Sequence, residues 1–424
     1  DRGEVGDTGS GAFGVAGISR SLPSEEMEAE LRPVFEAIRD MKAPLIHYKT
    51  CSTFDSSPEI GSIGKAIDVG YDVFSPPYVS TMIGAPILGR YCVFGNLFAR
   101  SGLDTEPFRL DRHPTMSRHP ITPMNESDLR IHLSQQTTKK TALFDILEVA
   151  KPLEAARKSF EKLLEEKPDI VLFDTLYDDH LPTIGNLIGS QADPENPIFL
   201  VGSSGVEYAL AAYWQSIGVS EPRTFPDPGE VDQLLTLSGS CSPVSGRQIQ
   251  WAVDQGSCEI PLDTEKLLGS EETDKECEQA ARSALELLDQ GHSVIIHTAK
   301  GPSDIRREGT IRRLKEIGMS EMDIKLRSGK FFGEAMGKIF LKIMQQKKMR
   351  RTAVIGGDTC GYFAKHVGIE AVEMVGPLAP GGPLCHIHKP GSPLEGLEIL
   401  LKGGRVGKTD IFRIIKRGVP PTDK

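Results

Sequence analysis

The chain has 424 residues, 39% hydrophobic and 25% charged, enough apolar side chain for more than one core beneath a solvated surface. A net charge of −10 argues against nucleic acid as the main partner, since a phosphate-backbone binder needs clustered Lys and Arg; a small anion stays compatible. Seven scattered cysteines without a CxxC pair, and no apolar run near the roughly 18 residues of a membrane helix, exclude a zinc knuckle, a disulfide framework and a membrane span. With no signal peptide visible, the expected setting is the cytoplasm.

In chain order, DRGEVGDTGSGAFG is polar and glycine-rich and reads as poorly ordered or as a remnant, and the chain opens on Asp1, not Met. FGVAGI reads as a buried strand, SEEMEAELRPVFEAIRDMK as a helix with acids in its first turn, and APLIHYKT as a strand. The stretch RSGLDTEPFRLDRHPTMSRHPITPMNES breaks the rhythm; with its two RHP tripeptides it fits a solvated loop and a ligand lid equally. KPDIVLFDT and NPIFLVGSSG are further short apolar runs ending in polar or glycine turns. Beyond the proline-rich PRTFPDPGEVD come the strand of GHSVIIHTAKGP, a helix in GKFFGEAMGKIFLKIMQQKKMRR and the strand of RTAVIGGDT. Strands alternating with helices predict an α/β fold with mostly parallel sheets, whose ligands sit beyond the strands' carboxyl ends.

Several turns carry candidate chemistry. YKTCSTFDSSPEIGSIGKA, at a strand end, gathers Lys49, Ser52, Asp55 and Ser56: an ammonium for a carboxylate, hydroxyls and an acid for a polyol. A serine-rich turn capping the next helix explains the same residues. Arg20 follows a strand end, where it would clamp an anion or sit on the surface. VGSSGVEYAL and LSGSCSPVSGRQIQWA are glycine and serine turns before helices, suited to anions or to plain capping. VIGGDTCGYF is a strand–glycine–helix turn that fits neither the P-loop nor the dinucleotide fingerprint. In LLKGGRVGKTDIF, Lys402, Arg405 and Lys408 flank three glycines, which favours phosphate on physical grounds, a basic surface turn being the competitor. His386 and His388 alternate as on a strand, but no further metal ligands accompany them.

In order, SRSLP, YKTCSTFDSSPEIGSIGKAID, HPITPMNESDL, VGSSGVE, GSCSPVSGRQI, GGDTCG, GPLAPGGPL and LKGGRVGKTDIF closely resemble the four-carbon acid sugar kinase family, from about Val15 to Phe412. The resemblance implies two α/β domains, each a mostly parallel sheet flanked by helices, with the active site in the cleft between them. It places a sugar-acid domain over residues 1–225, without its first strand, and a nucleotide domain over 226–424. It implies an enzyme that uses ATP and Mg²⁺ to phosphorylate the terminal hydroxyl of threonate, erythronate or 3-oxo-tetronate. By motif position, Arg20, Lys49, Ser52, Asp55 and Ser56 become substrate-binding candidates, with Asp55 also the candidate base. Ser242, Gly356, Gly357, Asp358, Thr359, Gly376, Gly403, Gly404 and Gly407 become nucleotide candidates; no protein residue is assigned to a metal.

Two departures stand out. The family opens with a strand ending in Asp-Asp-x-Thr-Gly, which nothing here matches beyond a weak echo at Asp7 to Gly9, so a start beyond the present sequence is expected. The last turn, usually Lys-Ser-Gly-Asn-Phe-Gly, is KGGRVG here, which implies a narrower subgroup. A kinase for a branched or longer oxo-sugar acid is the first alternative, and a non-catalytic sugar-acid binder the second. The expected partners are the sugar acid and ATP, with a homodimer left open.

Overall fold

Four- and five-residue apolar runs, too short for helices and covered on both faces, set the framework of each half of the chain. In the computed structural model, which describes residues 12–101, 105–119, 121–221, 224–269 and 271–419, the chain divides into two compact units, Asp1–Pro222 and Arg223–Lys424. The weak echo at Asp7 to Gly9 lies outside the described residues.

The strands of the first unit are β1 (Leu45–Lys49), β2 (Val79–Met82), β3 (Arg90–Val93), β4 (Asn96–Arg100), β5 (Pro107–Arg109), β6 (Thr141–Phe144), β7 (Ile170–Phe173) and β8 (Ile198–Gly202). Five form a parallel sheet in the order β1-β8-β2-β7-β6. β2, β7 and β8 are buried along their whole length; β7 and β8 are accordingly written as uninterrupted apolar runs, while β2, VSTM, buries Ser80 and Thr81 between its apolar ends. Helices Ser24–Asp40 and Ile63–Phe74 cover one face, packing Met27, Leu31, Phe35, Ile63 and Ile67 on Phe199. Phe160, Ile184, Leu187 and Leu210 cover the other.

The second unit has β9 (Leu235–Ser238), β10 (Cys258–Pro261), β11 (Val294–His297), β12 (Arg351–Ile355), β13 (Ala371–Ala379), β14 (Gly382–His388) and β15 (Glu398–Lys402). Their order is β10-β11-β9-β12-β15-β14-β13, parallel as far as β15 and antiparallel beyond it. Helical spacing puts Phe332, Met336, Ile339, Phe340, Ile343 and Met344 on one face of the helix Glu321–Gln346, and the structure buries the last five and half-buries Phe332. Both units thus have the expected α/β organisation. Among the described residues, no helix is long and apolar enough to cross a membrane.

Two segments differ from their sequence reading. FGVAGI forms no strand, and Phe13 and Val15 are exposed; two of its six residues are glycines, which weaken a ladder and give it little to pack. The stretch after β4 is not a plain loop. β5 pairs with β4 in a small antiparallel sheet, and both RHP histidines close turns from inside. His113 Nδ1 accepts the backbone N–H of Thr115 and Met116, and His119 Nδ1 accepts that of Thr122.

Candidate active site

In the first unit, β1 delivers Lys49 to the carboxyl edge of the sheet, and the chain then turns through residues 50–62 into the helix Ile63–Phe74. Ser62 caps that helix by accepting the Lys65 N–H. The turn is anchored by Phe54, fully buried with φ 52°, a conformation that a bulky residue holds only when packing enforces it. Asp55 consequently points inward. Its Oδ1 accepts the Thr53 hydroxyl at 2.6 Å and its Oδ2 accepts Arg20 Nη2 at 2.8 Å. The Asp55 side chain is 1% exposed and the Arg20 side chain 57%, so a buried carboxylate orients a largely exposed guanidinium. Both oxygens of Asp55, the candidate base, are thus engaged.

Ser56 is buried too. Its hydroxyl donates to Phe54 O at 3.1 Å, accepts Gln136 Nε2 at 3.0 Å and lies 2.9 Å from His132 Nε2. Burial pushes His132 down to about 4, against the opposing pull of Glu126 and Asp55, so the imidazole is neutral and holds the turn in place. Of the five sugar-side candidates, Arg20 and Lys49 are exposed and Ser52 is half-buried. Asp55 and Ser56 lie beneath them.

Sequence reasoning passed over Glu207, which stands in the first turn of the helix Gly205–Ser216 after β8. Its Oε1 is 3.3 Å from His47 Nδ1, and its side chain is half exposed. Burial raises its pKa, but the bond from His47 and the charges of His47 and Lys49 outweigh that and hold the carboxyl below its ordinary value. The signal was present in VGSSGVE, where an acid follows a strand–turn by a few residues.

In the second unit, four parallel strands end in register: Ser238 of β9 pairs with Ile355 of β12 and with His297 of β11, and Ile355 pairs with Lys402 of β15. After three of these strands the next residue ties back to a neighbouring strand. Gly239 N–H donates to Ile355 O at 2.9 Å, Gly356 N–H to Lys402 O at 2.9 Å, and Thr298 N–H to Ser238 O at 3.0 Å. Four loops therefore meet at one sheet edge. Thr359 packs against Gly239 and Gly356, and Gly404 lies so close to the serine turn that an added Cβ would sit 3.2 Å from Ser242 Cβ and collide with the Ser240 hydroxyl. The fourth wall, Lys300 and Gly301 after β11, approaches Gly246, whose Cβ would come within 2.8 Å of Lys300 O.

The structure thus brings together Ser242, Gly356, Gly357, Asp358, Thr359, Gly403, Gly404 and Gly407. It does not bring Gly376 to them by any close contact: that residue lies in β13, two strands from β15, and its Cβ position faces Phe225. Ser242 caps the helix Pro243–Asp254 by accepting the Val244 N–H at 3.1 Å, and Gly357 and Asp358 open the helix Gly357–Val367. Two helix starts flank a cradle in which Gly239, Gly356 and Gly404 leave no room for a side chain, and among the described residues the buried Ser238 hydroxyl at the end of β9 has no hydrogen-bond partner. Those features fit phosphates. Lys402 behaves otherwise than a flanking surface cation: it is 1% exposed, and burial pulls its pKa down to about 8. Among the described residues no cluster of three His, Cys, Asp or Glu side chains could hold a metal.

Comparison with known proteins agrees with this division. A family model described as a sugar-binding N-terminal domain matches residues 3–210, and one described as a nucleotide-binding C-terminal domain matches 235–412. The chain is 39% identical over 406 residues to a protein of Paraburkholderia graminis named 3-oxo-isoapionate kinase, covering 96% of this chain and 84% of that one. It is 26% identical over 406 residues to a 3-oxo-tetronate kinase of Pseudomonas savastanoi pv. phaseolicola, covering 95% and 85%. In fold it matches a Salmonella typhimurium LT2 protein provisionally named a tRNA synthase, with TM-score 0.72, 21% identity and coverage of 94% and 87%. It also matches Haemophilus influenzae protein HI1011, with TM-score 0.66, 21% identity and the same coverage. With sugar-binding and nucleotide-binding domains in this order, the chain belongs to the four-carbon acid sugar kinase family.

Proposed function

We propose that this protein transfers the γ-phosphoryl group of ATP to the terminal hydroxyl of a 3-oxo sugar acid, with 3-oxo-isoapionate favoured over 3-oxo-tetronate, threonate and erythronate. The relative at 39% identity bears the first name, while the compared 3-oxo-tetronate kinases lie at 23–27%. The observation that carries the phosphotransfer reading is the meeting of four strand-end turns around the serine and glycine residues of the second unit.

Arg20 and Lys49 supply cations for the acid's carboxylate, and Ser52 a hydroxyl for its polyol chain. Asp55 orients Arg20 from below, and Ser56 fixes the turn through His132 and Gln136. The attacking hydroxyl forms the new O–P bond as the bond from the γ-phosphorus to the β,γ-bridging oxygen breaks, and ADP leaves; catalysis of this kind is mostly positioning and charge neutralisation. The hydroxyl proton passes to a carboxylate, and Glu207 is the better candidate, since Asp55 would have to release Thr53 or Arg20. Mg²⁺ would neutralise phosphate charge when bound. It needs only one or two carboxylates besides phosphate oxygens and water, and Asp358, exposed beside the cradle, is available. A cytoplasmic setting accords with the seven free cysteines.

The test is ADP release by the purified chain with ATP, Mg²⁺ and a panel of 3-oxo-isoapionate, 3-oxo-tetronate, threonate and erythronate. The highest kcat/KM is expected on 3-oxo-isoapionate. ADP release with none of them, from protein shown to be folded, overturns the reading.

A further inference from the structure

The turn after β15 carries its polar groups in an unusual division. Lys402 Nζ donates to Gln248 Oε1 at 2.9 Å, to Val406 O at 3.1 Å and, more weakly, to Gly403 O at 3.4 Å. Gln248 Nε2 is shared among Val406 O at 3.1 Å, Gly407 O at 2.9 Å and Lys408 O at 3.0 Å. Both side chains are buried, Gln248 at 0% and Lys402 at 1% exposure. The amide has one possible orientation here: an ammonium only donates and carbonyls only accept, so Oε1 must face Lys402.

Two buried side chains thus draw the carbonyls of Val406, Gly407 and Lys408 to one side, and Lys402 adds a weaker pull on that of Gly403, which also accepts the Val406 N–H at 3.1 Å. In a planar trans peptide the C=O of one residue and the N–H of the next point in opposite directions. Drawing in the carbonyls of Gly403, Val406, Gly407 and Lys408 therefore turns the N–H groups of Gly404, Gly407, Lys408 and Thr409 outward. Among the described residues none of these four N–H groups makes a hydrogen bond. Outward amides on a turn with no Cβ at Gly404 and Gly407 are the kind of backbone from which anion nests are built, and Gly404 seats the turn against Ser240 and Ser242.

We propose that the amides of Gly404, Gly407, Lys408 and Thr409 form a phosphate nest, and that Lys402 and Gln248 are the positioning residues that hold it open from behind, Lys402 touching no phosphate itself. This rests on the nucleotide reading of the second unit. Lys402→Met and Gln248→Leu are each expected to weaken ADP binding, measured by calorimetry, at least about tenfold. The double variant is expected to be little weaker than the worse single one, because both side chains hold one turn. Sugar-acid affinity should stay as in the unaltered protein. A pH profile separates positioning from mere structural support. With Lys402 near 8, ADP affinity should fall from pH 7 to 9 as one donor is lost, and that fall should vanish in Lys402→Met. If the unaltered protein binds no ADP, the nucleotide reading fails. If it binds ADP and Gln248→Leu, folded by circular dichroism, binds it equally well, or if the two losses simply add, the clamp is refuted while the nucleotide reading stands.

Discussion

Replacing Asp55 by Asn separates two roles that a carboxylate in this turn could play. The structure makes it an anchor: its Oδ2 receives Arg20 Nη2 at 2.8 Å and its Oδ1 the Thr53 hydroxyl at 2.6 Å. A hydrogen bond to a charged group is worth about 1.5–3 kcal/mol. Arg20 is more than half exposed while Asp55 is buried, so solvent screening on the arginine side argues for the lower end. About 1.5 kcal/mol corresponds to roughly tenfold in affinity. Steady-state kinetics on the preferred acid should therefore show the KM for the acid rising roughly tenfold, with kcat changed by less than about threefold. Arg20→Gln should raise the same KM, and the two changes should not add. Glu207→Gln should behave in the opposite way, cutting kcat by about a hundredfold or more with KM little altered, as loss of a general base does. A hundredfold loss of kcat in Asp55→Asn at unchanged KM would make Asp55 the base and refute the anchoring argument. A Glu207→Gln enzyme of normal kcat would remove Glu207 from the chemistry.

Other consequences concern the framework and the phosphate cradle. Arg351, fully buried at the start of β12, bonds Glu398 through Nε at 2.6 Å and also donates to Ile415, Lys416 and Gly229 carbonyls. Arg351→Met leaves the buried Glu398 without this partner and should lower unfolding free energy by about 3–5 kcal/mol in urea titrations, with Arg351→Met/Glu398→Leu recovering most of it. His132 and His297 are both held near 4, first by burial, so the unfolded chain binds more protons between there and its ordinary value near 6.5. Stability should be full above pH 6.5 and fall on acidification toward pH 4, by up to about 3 kcal/mol per histidine, and His132→Asn should remove roughly half of that slope. Gly404→Ala, whose Cβ would collide with the buried Ser240 side chain, should raise KM for ATP at least about tenfold and leave the KM for the acid unchanged.

What could be read from the sequence follows the physics of burial. β7 and β8 are covered on both faces, so they appear as the uninterrupted runs IVLF and IFLV, and the helix face from Met336 to Met344 appears as a 3.6-residue stripe. The same rule misleads at FGVAGI, where apolar residues are exposed and a short run carries no mark of whether anything covers it. Glycine and serine turns could be recognised as phosphate candidates one at a time, but their meeting depends on strand order, β11-β9-β12-β15, which no local pattern encodes. Side-chain direction is equally silent. Asp55 and Ser56 belong to the polar cluster that sequence singles out, yet they face Arg20, 35 positions away, and His132, 76 positions away. Lys402 reads as a cation beside a glycine turn, and the fold turns its ammonium into that turn's carbonyls.

The departure of KGGRVG from the family's usual Lys-Ser-Gly-Asn-Phe-Gly can now be weighed position by position. The two glycines common to both patterns are Gly404 and Gly407. Gly404 meets the Ser240 side chain where a Cβ would stand, and Gly407 has φ 87°, where a side chain is strained, with Ile411 Cδ1 2.8 Å from its Cβ position. Gly403 is different: a Cβ there would meet only Val406 Cγ2, at an ordinary 3.7 Å. The nest's shape therefore depends on the positions that agree, and the change from serine to glycine falls where a side chain has room. Gly403→Ser should accordingly leave the KM for ATP within about twofold of the unaltered protein, against the tenfold or larger rise for Gly404→Ala. A Gly403→Ser enzyme impaired as badly as Gly404→Ala would mean that the turn closes more tightly around ATP than its resting geometry allows, and that residue 403, not only the clamp behind it, shapes the nest.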